Sequence, residues 1–236
     1  MSRICWIAAD LIRETRALGR RHWITLVFAI LWPAAMALID GGSARGMVWP
    51  DGMGLRHSIV LNAVGPGSLA MVILIEVFHA RRLRRELEPL LAAPVTDIEI
   101  VLGTALPSLA SVAILALASF PLVRLSTSLG AGRPIGSLAG QLAMHLLASA
   151  AGGVWATVIL LHAAFRSATE SGLAMRAAAG FLLPGLLDTG VAAAGLLGPP
   201  RAPAVVLAAG LAAGVAALPV AAFRLKREDL LDPFDP

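Results

Sequence analysis

Six long apolar runs decide what this chain can fold into: roughly 23–39, 58–78, 98–123, 135–165, 173–197 and 204–223. A bilayer core about 30 Å thick takes about 20 helical residues to cross, or about 9–11 in a tilted strand. Runs of this length, rich in Ala, Leu and Gly and without polar–apolar alternation, read as helices rather than barrel strands. Helices and closed barrels are also the only structures that satisfy their own backbone in lipid. Composition agrees. Of the 236 residues 58% are hydrophobic, against about 45–50% in soluble domains, and mean hydropathy is +0.80. The sequence therefore predicts an all-α polytopic membrane protein with six transmembrane helices. The fourth run exceeds one crossing, and is expected to tilt or to break near Gly152-Gly153.

The 19 Lys and Arg residues give the orientation. Arg3, Arg13, Arg16, Arg20 and Arg21 precede the first run, and Arg81, Arg82, Arg84 and Arg85 follow the second. Arg166 and Arg176 lie between the fourth and fifth, and Arg224, Lys226 and Arg227 follow the sixth. The opposite side receives only Arg45, Arg56, Arg124, Arg133 and Arg201. The positive-inside rule then predicts cytoplasmic N- and C-termini. The near-exclusive use of Arg, with abundant Ala and Gly, points to a GC-rich bacterial genome and so to the bacterial cytoplasmic membrane. Net charge is +4, but its clustering at the ends of apolar runs is explained by topology, so no nucleic-acid partner is expected. The lone Cys5 permits no disulfide within the chain and no cysteine-based metal site.

Residues 1–22 are patterned. Ile4, Ile7, Ala8, Leu11, Ile12, Thr15 and Leu18 share one helical face, with Arg13, Arg16 and Arg20 opposite and Asp10, Glu14 and Arg21 flanking. This predicts an N-terminal interfacial amphipathic helix whose apolar face meets membrane lipid. Trp6 falls off the stripe. Ala35-Met36-Ala37 loosely fits a signal-peptide cleavage site, but so long and patterned a leader reads as part of the protein. The six spans form the second unit, 23–236.

The loop 79–97 carries the most information. Four arginines end the second run. Glu86 to Ala93 then reads as a short surface helix with the apolar pair Leu90 and Leu91 between acids and Pro94. Thr96 with Glu99 fits a capping box that opens the third span. A short helix offering apolar and acidic groups suits docking in a partner's groove.

The run from Glu86 to Thr96, followed by Glu99-Ile100-Val101-Leu102-Gly103 and Pro107, resembles the signature of ABC transporter type-2 permeases, an acid-rich GTLE–LL–TPV stretch and then E–LLGK–LP. That family has an N-terminal interfacial helix, six spans, inside termini and a coupling helix in this loop. Its chains often end in a basic-acidic segment like Phe223 to Leu231. The resemblance implies that Glu86, Leu87, Glu88, Pro89, Leu90, Leu91 and Pro94 couple the chain to an ATPase. It also implies a second permease chain, identical or different, and two copies of an ABC ATPase subunit. ATP and Mg would sit on the ATPase, and no cofactor or metal is expected in this chain. Three features depart from the pattern. Arg85-Glu86 replaces Gly-Thr, Gly103-Thr104 replaces Gly-Lys, and 198–203 is too short for the family's outer helical hairpin.

The chain itself is not expected to be an enzyme. A Walker A loop needs Gly-Lys-Ser/Thr, and the single lysine, Lys226, follows Leu225. A rhomboid-type protease needs Gly-x-Ser-Gly, from which Gly67-Ser68-Leu69 departs, and a base in a late span, where the last histidine is His162. Polar residues inside spans are functional candidates by default. Asn62, His145 and Asp188 are therefore candidates for a substrate pathway. Each also has a structural reading, as an interhelical bond (Asn62, Asp188) or a satisfied packing histidine (His145). Glu76 is expected to pair with nearby arginines, and Gly65-Pro66-Gly67 and Pro184-Gly185 to loosen their helices. Pathway walls of Ala, Leu and Gly suit a hydrophobic or amphipathic substrate such as a lipid, drug or antibiotic. The alternatives are a haem-export permease of cytochrome maturation and a non-transporting scaffold or immunity subunit.

Overall fold

The computed structural model describes residues 3–18, 22–43, 59–65, 67–84, 86–131, 137–167, 169–197 and 202–223, and these are helical with no strand among them. In chain order the elements are α1 (Arg3–Leu18), α2 (Trp23–Ser43), α3 (Ile59–Val64), α4 (Ser68–Met71), a π-helical stretch (Val72–His79), α5 (Ala80–Leu83) and α6 (Glu88–Ala92). Then follow α7 (Asp97–Ala131), α8 (Leu138–Arg166), α9 (Glu170–Gly180), α10 (Leu182–Leu197) and α11 (Ala202–Phe223). Residues 44–58 between the first two apolar runs, 198–201 and the tail after Phe223 lie outside the described residues.

Two helices, Asp97–Gly130 and Leu138–Arg166, are long and apolar enough to cross a membrane by length and composition. They form the centre of the bundle. On α7 lie α1, α2 and α11, and on α8 lie α3, α9 and α11. Helix α8 is buried almost all round from Ala148 to Phe165, and small residues let its neighbours come close. A Cβ added at Gly153 would stand 2.4 Å from Val112 Cγ1 on α7, and one at Gly214 of α11 would stand 2.7 Å from Val154 Cγ1. Backbones thus approach where bulkier residues would hold them apart, the packing mode of helices that lack a hydrophobic drive between them. Helix α8 runs unbroken through Gly152-Gly153, which settles the expected tilt-or-break in favour of continuity. Trp155 Nε1 donates to Gly210 O across the α8–α11 contact at 2.9 Å.

Several boundaries differ from expectation. The second apolar run is bent into two pieces, α3 and then α4 continued by the π stretch. Gly67 N bonds Asn62 O at 3.3 Å, five residues back, and Ser68 closes a turn on Gly65 O. A Cβ at Gly67 would strike Ala63 O, so only glycine fits this bend. Helix α7 reaches Ala131, eight residues past the expected end. Pro107 and Pro121 do not stop it, and Arg124, expected in a loop, lies on it and donates to Gln141 Oε1 of α8 at 2.9 Å. At about 1.5 Å per residue α7 is about 52 Å long. The fifth run is two helices that meet at Phe181, three residues before Pro184. Pro184 has no N–H to give the Gly180 carbonyl, and that missing bond ends the helical ladder early.

The outward faces are apolar. Ile24, Ile114, Leu129, Leu182, Leu186 and Val205 are each more than 60% exposed. Exposed apolar surface on this scale marks a binding or membrane-facing face.

Candidate functional site

The loop predicted to carry function folds as α5, a turn and α6. Its entry into α7 is the capping box read from the sequence: Glu99 Oε2 accepts from Thr96 N at 2.7 Å, and Glu99 N donates to Thr96 Oγ1 at 3.3 Å. The short helix Glu88–Ala92 forms within the expected Glu86–Ala93 segment.

Helix α1 occupies the space beneath this loop. Ile7, Ala8 and Leu11 are 2–4% exposed. Ile7 lies against Gly103 of α7, where an added Cβ would meet its Cβ at 2.7 Å. Ile7, Leu11 and Val77 form a small cluster against which Leu90 packs. The central part of the stripe expected to face lipid, Ile7, Ala8 and Leu11, is therefore docked on the protein itself, because α7 and the π stretch offer an apolar trough there, while Ile12 is 39% exposed. Trp6, off the stripe, is 56% exposed.

Charge pins the same contact. Asp10 and Glu14 stand one turn apart on α1. Arg81 reaches both, donating Nη1 to Asp10 Oδ2 at 2.7 Å and Nη2 to Glu14 Oε1. The Arg81 side chain is only 17% exposed. Burial pushes its pKa down, but the hydrogen bonds to Glu14 and Asp10 and their charges outweigh burial and raise it above the ordinary arginine value. Arg3 adds a bond to Pro94 O and lies 3.9 Å from Glu99 Oε2. Between α1, Phe78, Arg81 and α6 lies a cavity of about 190 Å³.

The coupling residues read from the sequence separate into two groups. Glu86, Glu88 and Pro94 are exposed, and Glu86 Oε1 lies 3.1 Å from Arg84 Nε. Leu87 is 3% exposed and belongs to the main core. Leu90 is half-buried between that core and α1, so part of its apolar surface is covered within the chain. The side chains of Pro89 and Leu91 lie outside the described residues.

The candidate pathway residues are also bonded. Asn62 is 2% exposed and accepts from Ser149 Oγ of α8 at 2.9 Å through Oδ1. His145 is buried, with Nε2 3.0 Å from Ala116 O and 3.2 Å from Ser119 Oγ on α7, and it rests against Phe120. Both tie helices together. Asp188 is half-buried on α10, which packs on α3. Glu76 Oε2 is 2.8 Å from His22 Nε2, and no arginine pairs with Glu76 among the described residues.

Sequence reasoning read Asp10 and Glu14 as flanking charges and missed that they grip Arg81. A signal existed, since two acids at i and i+4 face a loop holding four arginines. Among the described residues no group of three His, Cys, Asp or Glu side chains could hold a metal. Comparison with protein-family models, curated proteins and solved structures gives no match.

Proposed function

We propose that this chain is the six-span membrane subunit of an ATP-binding-cassette exporter in a bacterial cytoplasmic membrane. Two such chains would enclose a pathway, and two ATPase subunits would bind at the α5–α6 loop. The observation that carries the reading is the short helix α6 with the acids Glu86, in the turn before it, and Glu88, in its first turn, both exposed. It sits between the π stretch and the capped start of α7, in a run resembling the type-2 permease signature. A push on α6 would reach α7 through the Thr96–Glu99 cap and α1 through Leu90, so the loop is tied to the bundle at both ends. The exposed apolar faces of α2, α7, α10 and α11 favour a lipid surrounding.

Leu90 is a poor site for a test, because an acid there would break the chain's own packing. Glu86 and Glu88 are exposed and can be reversed without that cost. The double change Glu86→Lys, Glu88→Lys should leave the protein in the membrane with an unchanged melting temperature, while an ATPase that co-purifies with the unaltered chain is lost. Lysines facing a basic rim on the ATPase would set like charges together, which costs several kcal/mol, so the loss should be near complete. Full retention of the ATPase by that variant would remove the loop from the interface and the exporter reading with it.

A further inference from the structure

A second cavity lies apart from the loop, between the first two turns of α2 and the π stretch. It is an open groove of about 380 Å³ with Ser68, Val72 and Glu76 on one wall and Ile24, Thr25 and Phe28 on the other. That volume falls in the range of about 300–1,000 Å³ typical of small-ligand sites. Ser68, Val72 and Glu76 recur every four residues across α4 and the π stretch, so they stand on one face. Ile24, Phe28, Val72 and Ile75 make the groove mostly apolar, with Thr25, Ser68 and Glu76 as its polar residues. Ser68 Oγ is already donated to Gly65 O at 2.7 Å. Glu76, its side chain 49% exposed, stands on a stretch whose other residues are apolar apart from the terminal His79. The imidazole of His22 approaches one carboxylate oxygen, Oε2, but Nε2 makes no directed hydrogen bond with it. The second oxygen, Oε1, has no partner among the described residues.

We propose that this groove binds a single-chain amphipathic cation, with the tail between α2 and Val72 and the ammonium on Glu76. An acid at the mouth of an apolar slot costs free energy in or near a bilayer unless a cation meets it. A headgroup with N–H donors matches the open oxygen, whereas an anionic or neutral headgroup leaves it unpaired. The proposal deepens the exporter reading, on which it rests, by giving the substrate its charge: a hydrophobic amine rather than a lipid acid or a neutral hydrocarbon.

The test uses the full chain in phosphatidylcholine nanodiscs without any ATPase, so its outcome is independent of whether an ATPase couples. Dodecylamine bearing a terminal diazirine and the matching dodecanol probe are photolysed with the protein, and adducts are mapped by mass spectrometry. The amine should label segments 22–32 and 68–79 saturably, in clear excess over the alcohol. Glu76→Gln should lower that labelling about tenfold, as expected for losing a hydrogen bond to a charged group, while Glu76→Asp keeps most of it. Thr25→Trp, which fills the slot, should abolish it. Equal labelling by the two probes overturns the proposal, as do adducts spread evenly over the exposed faces of α7 and α10. A groove that takes no amine because a second copy of the chain covers it overturns it too. The contrast between probes is read on the unaltered protein, so it holds even if a variant fails to fold.

Discussion

The α7–α8 seam and the α1–loop junction hold helices together by opposite means. Along the seam the contacts are small and blunt: Gly153 lies under Val112, and the buried His145 and Ser119 bond helix to helix, while beside the seam Ser149 of α8 bonds Asn62 of α3. At the junction, long side chains reach across. Arg81 forks onto Asp10 and Glu14, Arg3 spans to Pro94, and a cavity of about 190 Å³ remains between α1 and α6. Close packing has few alternative arrangements and resists motion. A junction of ion pairs around a void can part and re-form at lower cost. Under the exporter reading, the contrast suits a chain whose centre stays assembled while its loop moves.

Three substitutions would sharpen or break that contrast. The largest effect belongs to the seam. Gly153→Val places a Cβ at 2.4 Å from Val112 Cγ1 and overpacks a continuous helix pair. It should cost about 3 kcal/mol or more, read as a clear fall in thermal midpoint in detergent, with Val112→Ala recovering part of it. A neutral result would mean the seam yields as easily as the junction.

Next comes the junction itself. Arg81→Met leaves Asp10 and Glu14 facing one another without their cation. Hydrogen bonds to charged groups contribute about 1.5–3 kcal/mol, and the partial exposure of both acids discounts this to about 1–2 kcal/mol. The loss should appear as faster amide exchange in α1 with α8 unchanged, whereas exchange speeded equally in both would contradict a separable α1. The raised Arg81 pKa sets the sign with pH. Its stabilisation is fully present below the ordinary arginine value and is lost only above it, so Arg81 itself adds no pH dependence to α1 between about pH 6 and 9.

The smallest effect is expected at Ser149→Ala, which removes the donor to the buried Asn62 Oδ1. Interhelical hydrogen bonds in membrane bundles average about 0.6 kcal/mol, so the midpoint should shift slightly. Under the exporter reading, a large change in transport with an unmoved midpoint would return Asn62 to the pathway.

Much of the architecture was legible in the chain. Apolar runs located the helices because burying the hydrocarbon and satisfying the backbone leave one local solution. The Thr96–Glu99 cap was legible because both partners lie within one turn, and the bend at Gly65–Gly67 because glycine and proline act on their own backbone. The amphipathic pattern of α1 was equally plain, but its destination was not. Periodicity shows that a face will be buried, and only the trough formed by Gly103, Val77 and Leu90, brought together from three separate segments, decides that protein covers it. The same limit applies to Asn62 and His145. A polar residue in an apolar helix announces that it needs a partner, while the identity of that partner, Ser149 for one and the Ala116 carbonyl for the other, depends on which helices cross and at what height. Contacts within a turn are written in the sequence because the backbone fixes their distance. Contacts such as Arg81 with Asp10, 71 residues apart, exist only once the bundle has closed.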